Sequence, residues 1–154
     1  MEPNEIQTAL AAAVEEVLET MYFSTVLASA EGTAPSEGGG TPAITVKLRF
    51  EGSPSGGVRV GVPMKLARVV GAGFLGREEI EVSDSQAEEV VCELANMICG
   101  TVLSRLESKA TFQITHPELS RPEQGVSFEG AGAKRWFDLG DGILTVSLEL
   151  QQTV

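Results

Sequence analysis

Residues 84–109 read DSQAEEVVCELANMICGTVLSRLESK, and the spacing of their apolar residues decides the fold. Ala87, Val91, Leu94, Ala95, Ile98 and Val102 recur at the period of one buried helix face, with Cys92, Cys99, Leu103 and Leu106 on its flank. The segment predicts a helix of about seven turns, capped by Ser83 or Asp84, with Lys109 near its end. At about 100° per residue, Glu89, Glu93, Asn96, Gly100, Ser104 and Glu107 fall within a wedge of about 80° on the opposite side. Asn and Gly are poor helix formers, and an interior Gly costs about 1 kcal/mol relative to Ala. A solvated face explains any one of these positions taken alone. Two unfavourable residues stacked on one line point to something outside the helix that comes close to it. The missing side chain at Gly100 would let another backbone approach.

Outward from this helix, the chain opens with NEIQTALAAAVEEVLETMYF (4–23), where Ile6, Leu10, Val14, Leu18 and Met21 recur at helical spacing and Asn4 is the expected cap. ASAEGTAPSEGGGTPA (28–43) is small, polar and glycine-rich; such a composition cannot bury a core and predicts a flexible surface loop. ITVKLRFEG (44–52) and GVRVGVP (57–63) alternate apolar and polar residues around the turn-rich GSPSGG, a hairpin signal. PMKLARVVGAGFLG (63–76) predicts a short helix that starts at Pro63 and stops in the glycines. TFQITHPEL (111–119), GVSFEG (125–130), KRWFDLG (134–140) and GILTVSLELQQ (142–152) read as strands joined by glycine turns. Asp141-Gly142 is a two-residue hairpin signal, with Asp138 and Asp141 shaping the turn. The order implies an α+β fold, a mainly antiparallel sheet with helices packed on it around one long helix.

A chain of 154 residues fits one domain, expected to span 1–154. No apolar run reaches the length of a membrane span. The first residues, MEPNEIQ, lack the positive region of a signal peptide, so a cytoplasmic location is expected. The net charge of −11, from 22 acidic and 11 basic residues with no Lys/Arg cluster, argues against nucleic acid and is compatible with a basic patch on a protein partner. Cys92 and Cys99 would lie about 10 Å apart along one helix, too far for a bridge, and no His stands within ligand spacing. His116, the only histidine, sits in a loop before a proline; Trp136 is expected to pack within the sheet. GAGFLG lacks a downstream Lys-Ser/Thr and so reads as a helix terminator, not a phosphate loop.

The chemistry of the exposed line is specific. Glu93 can pair with a partner's Lys or Arg. Asn96 offers a donor and an acceptor together, which is what orienting a water requires. Neither is a good nucleophile. The pair therefore suits hydrolysis of a phosphoryl group, where holding water in line supplies most of the catalysis.

Glu89-x-x-x-Glu93-x-x-Asn96, followed by MICGTVLSRL (97–106), resembles the signature helix of the CheC/CheX family of chemotaxis phosphatases, which dephosphorylate the response regulator CheY. The likeness extends to VEEVLETM (14–21), to GGVRVGVPMKLA (56–67) and to the closing strands, leaving out only the 28–43 loop. With one motif, the chain is more similar to CheX than to the two-motif CheC. The resemblance implies a phospho-aspartyl phosphatase acting on a CheY-type response regulator. Glu93 would dock on a lysine in the partner's active site, and Asn96 would aim water at the aspartyl phosphate. Mg²⁺ would be held by the response regulator and no cofactor by this chain. Glu89 would extend the partner-binding edge, and the helical wheel, independently of the resemblance, adds Gly100 and Ser104 to it. A homodimer through sheet edges is also implied, for which the valine- and leucine-rich final strands would serve. The alternative is a non-catalytic module like the middle domains of the flagellar switch proteins, a structural or receiver-docking element. Such a scaffold has no need of the Glu93/Asn96 pair.

Overall fold

The computed structural model describes residues 3–32, 44–52, 55–106, 112–120 and 131–151. Helix α1 (Pro3–Met21) leads into β1 (Ala28–Glu31), β2 (Ile44–Glu51) and β3 (Ser55–Val62). Helix α2 (Met64–Leu75), a 3-10 turn (Glu79–Glu81) and the long helix α3 (Asp84–Leu106) follow. The short β4 (Gln113–Ile114) and β5 (Glu118–Ser120), then β6 (Ala131–Asp138) and β7 (Ile143–Gln151), complete the order. The seven strands form one antiparallel sheet in the order β1-β6-β7-β3-β2-β4, with β5 also paired to β2. The expected α+β architecture is therefore present.

Alternation fixes which face of the sheet is covered. In β2, Ile44, Val46, Leu48 and Phe50 are buried while Lys47, Arg49 and Glu51 face solvent. In β7, Leu144, Val146, Leu148 and Leu150 are buried in the same core as Ile6, Leu10, Val14 and Leu18 of α1 and the inner face of α3. Helices α1 and α3 lie side by side, α1 reaching β6 and α3 reaching β2 and β3, while α2 packs on α3.

Several local expectations are corrected. Helix α1 begins at Pro3, so Asn4 lies inside the first turn instead of capping it; proline suits the first helical position because its fixed φ is already helical. Residues 28–31 are not loop but an edge strand, registered from Ala28 opposite Asp138 to Glu31 opposite Arg135. Their small polar composition carries no strand signal, and a partner more than a hundred residues away supplies the hydrogen bonds. The rest of the expected loop, 33–43, lies outside the described residues, as do GVSFEG, Glu107 and Lys109. TFQITHPEL is split between β4 and β5 around His116-Pro117, where proline has no N–H to donate to the ladder.

The final strands do not provide a free edge. Strand β7 is hydrogen-bonded on both sides, by β6 and β3, and among the described residues the edges belong to β1 and to β4 and β5. Burial explains this: a strand as apolar as β7 is most stable in the middle of the sheet, under the helices.

Helix α2 starts one residue later than expected, at Met64 with Pro63 as its cap; it runs through Gly71 and Gly73 and stops, as GAGFLG implies, at Gly76, whose φ is 66° and whose N–H bonds the Ala72 carbonyl. Gly73 is not a terminator but a point of close approach, since a Cβ there would lie 2.5 Å from the Tyr22 carbonyl oxygen. The β6–β7 hairpin turns one residue earlier than expected. The Leu139 N–H bonds the Gly142 carbonyl at 3.0 Å, leaving Gly140-Asp141 as the central pair. Gly140 supplies the positive φ, 90°, and its N–H is held at 2.8 Å by the Asp138 carboxylate.

Candidate functional site

The long helix is anchored at its start by reciprocal bonds. The Gln86 N–H donates to Ser83 Oγ at 3.1 Å and the Ser83 N–H donates to Gln86 Oε1 at 3.0 Å, making Ser83 the cap. Asp84, the first helical residue, pairs with the Arg68 guanidinium of α2. Behind this start, Ala87, Val90, Val91, Leu94, Ala95, Ile98, Cys99, Val102 and Leu103 are buried.

On the opposite side, Glu89, Glu93, Asn96 and Ser104 are exposed and Gly100 is half-exposed. A Cβ built on Gly100 meets nothing within 4 Å. The line expected from the helical period is thus one continuous solvent-facing edge from Glu89 to Ser104. Gly100 and Ser104 also border a shallow groove between α1 and α3, where Thr20, Met21 and Met97 contribute to the walls. An ion pair from Arg105 to Glu16, 3.1 Å long and about half exposed, crosses this groove and adds little to stability. Because the space at Gly100 is open, Gly100→Ala is expected to stabilise the helix by about 1 kcal/mol. A thermal melt should show this as a rise of about 2–4 °C for a chain of this size.

Two neighbours of this edge were not singled out from the sequence. The buried series of α1 continues in steps of four, Ile6, Leu10, Val14 and Leu18, to Tyr22, while Met21 turns outward at 46 % exposure. Tyr22 is stacked on Phe74 of α2, ring centroids 4.7 Å apart, and its hydroxyl donates to Met97 Sδ at 3.7 Å. It is thereby held against the segment of α3 that carries Glu93 and Asn96. The next residue, Phe23, has a left-handed backbone with φ of 55° and is 78 % exposed. This conformation lets the Ser24 N–H turn back onto the Leu18 carbonyl at 2.9 Å and end the helix. Glycine ordinarily takes such a position, and a residue with a Cβ costs about 1–2 kcal/mol there.

Titration of the groups around this corner follows burial. The Tyr22 phenol is pushed well above its ordinary range by burial and then by the nearby Glu93 charge. Burial pushes the Cys99 thiol up to about 12. Cys92 is raised by burial first and then by Glu88, Glu89 and Glu93. All three groups hold their protons more tightly in the folded chain than in the unfolded one. Their contribution is complete at neutral pH and is lost as the unfolded thiols and phenol ionise, so stability falls from about pH 9 upward. Urea midpoints measured at pH 8 and pH 10.5 should show the lower value at alkaline pH; equal midpoints would contradict this account.

Among the described residues no group of His, Cys, Asp and Glu is arranged to hold a metal ion, and no helix is long and apolar enough to cross a membrane. The helix edge thus presents a carboxylate at Glu93, a carboxamide at Asn96 and open space at Gly100, with the shallow α1–α3 groove along its Gly100–Ser104 end.

The chain shares its fold with several solved structures. One is the CheX–CheY–BeF3–Mg²⁺ complex from Borrelia burgdorferi, with a TM-score of 0.73 and 21 % identity, covering 95 % of this chain and 97 % of that one. A CheX chemotaxis protein from Vibrio vulnificus gives a TM-score of 0.73 at 18 % identity, over 98 % of this chain and 99 % of that one. A CheX chemotaxis protein from Desulfovibrio desulfuricans gives 0.71 at 21 % identity, over 96 % and 99 %. No curated protein sequence matches the chain. The family model of the chemotaxis phosphatase CheX matches residues 44–134, from the start of β2 through α3 and into β6. With more than half its length matched by that model, the chain belongs to the CheX family of chemotaxis phosphatases.

Proposed function

We propose that the protein hydrolyses the aspartyl phosphate of a CheY-type response regulator, using the Glu89–Ser104 edge of α3 as the part that enters the partner's active site. The observation that carries this is the placement of Glu93 and Asn96 on one free, solvent-facing helix edge of a CheX-family chain. Glu93 pairs with an active-site lysine of the receiver and sets the register of the helix. Asn96, one turn further on, accepts a hydrogen bond from the attacking water and donates one to it, holding it in line with the phosphorus. Water adds to phosphorus, the bond to the aspartate oxygen breaks, and inorganic phosphate and the free carboxylate are released. Gly100 leaves clearance for the receiver's backbone, and Glu89 and Ser104 contact its rim.

The metal belongs to the partner. In the Borrelia complex CheX is bound to CheY with BeF3, which stands in for the phosphoryl group, and Mg²⁺. The same division here leaves this chain to supply orientation and docking while the receiver's Mg²⁺ neutralises charge on the phosphoryl group. A homodimer formed by sheet extension would use β1 or the β4–β5 side, the edges among the described residues.

The deciding experiment is a time course of phosphate loss from phosphorylated CheY-type receiver domains, with and without the protein. A receiver that loses phosphate faster in its presence supports the reading. If every such receiver in the source genome decays at its intrinsic rate, the reading is wrong.

A further inference from the structure

We propose that Phe23 is a docking anchor for the receiver domain, a specificity-determining residue on the apolar shoulder of the Glu93–Asn96 edge. The inference rests on the phosphatase reading above and concerns recognition, not hydrolysis. Three observations carry it. The first is conformational: Phe23 occupies the left-handed position that ends α1, where a side chain is a liability and glycine or asparagine is favoured. The second is exposure. At 78 % its ring is left almost wholly in water, so it contributes little to the protein's own core.

The third is position. Tyr22 is locked by the Phe74 ring and by its bond to Met97, the residue after Asn96, and its carbonyl is pressed against Gly73. The backbone that projects Phe23 is therefore held against Gly73 of α2, while the Tyr22 side chain ties this corner to Met97 of α3. Met21, 46 % exposed and two residues before Phe23, lines the α1–α3 groove together with Met97 and Gly100. A large aromatic on a fixed backbone loses little entropy on binding. Beside a charge pair, it also excludes water from the contact and strengthens it. The surface that fits is a lysine bordered by an apolar depression, next to the receiver's phosphorylation pocket. The ring fills the depression while Glu93 meets the lysine.

The test uses the receiver domain that wild-type protein dephosphorylates, loaded with Mg²⁺ and beryllofluoride. Binding is titrated for wild type, Phe23→Gly and Phe23→Asn, two replacements that suit the left-handed backbone and remove the ring. Both variants are expected to melt at or above the wild-type temperature, to bind at least about tenfold more weakly, and to raise KM with kcat within about twofold. Phe23→Trp keeps binding near wild type. Binding within twofold of wild type for Phe23→Gly and Phe23→Asn overturns the proposal, as does weaker binding that appears only with a lowered melting temperature. An unchanged Phe23→Gly beside an active wild type removes this inference alone. A wild type that accelerates no receiver removes the phosphatase reading and this inference with it.

Discussion

Asn96→Ala is expected to slow hydrolysis of the receiver's phosphate by about 10- to 1,000-fold, the usual cost of deleting one pre-organised polar group that acts on the reacting atoms. The amide is exposed and lies on the outer face of α3, so its loss opens no cavity. Alanine is the better helix former by several tenths of a kcal/mol, and the variant should melt no lower than wild type. Receiver binding should largely persist, because Glu93 and the rest of the edge are intact. The signature is a fall in the single-turnover rate at saturating protein with little change in affinity. Glu93→Ala should show the complementary pattern, a raised KM with a smaller effect on kcat. Wild-type hydrolysis by Asn96→Ala would show that water is positioned by some other group.

Ile98→Ala, two residues further along the same helix, should do the reverse. Ile98 has no exposed surface and sits in the core between α3 and the sheet. Truncating it removes buried apolar surface and leaves a cavity, a loss of about 2–5 kcal/mol. Against a total stability of about 5–15 kcal/mol for ordinary domains, that is a large fraction. Urea denaturation should show a clearly lower midpoint with an unchanged slope, and hydrolysis measured well below the melting temperature should stay near the wild-type rate. A loss below about 1 kcal/mol would mean that the inner face of α3 is not closely packed. The opposite outcomes at positions 96 and 98 separate the two faces of one helix by experiment.

Those two faces were legible in advance because an α-helix repeats every 3.6 residues, so apolar and polar positions sort onto opposite sides whatever the helix packs against. The β2–β3 hairpin was legible for the same kind of reason, since its alternation of Val, Leu and Phe with Lys and Arg is local. Strand β1 was not, because Ala28-Ser29-Ala30-Glu31 has no pattern of its own and becomes a strand only through β6. The stop in GAGFLG is local as well, since Gly76 takes the left-handed φ that ends the helix, whereas Gly71 and Gly73 stay helical where Val82, Val90 and the Tyr22 carbonyl pack against them.

The candidate site divides along the same boundary. By itself the amino-acid sequence determined that Glu89, Glu93, Asn96, Gly100 and Ser104 share one edge, because all five lie on one helix and a helix sets the angle between its own residues. Only the tertiary structure decided that β7 is buried mid-sheet and that the Tyr22–Phe23 corner stands beside that edge. The bond from Tyr22 to Met97 joins residues 75 apart in the chain. No local periodicity encodes such a contact; it arises when two amphipathic helices bury their apolar faces against the same sheet and bring their outer flanks together.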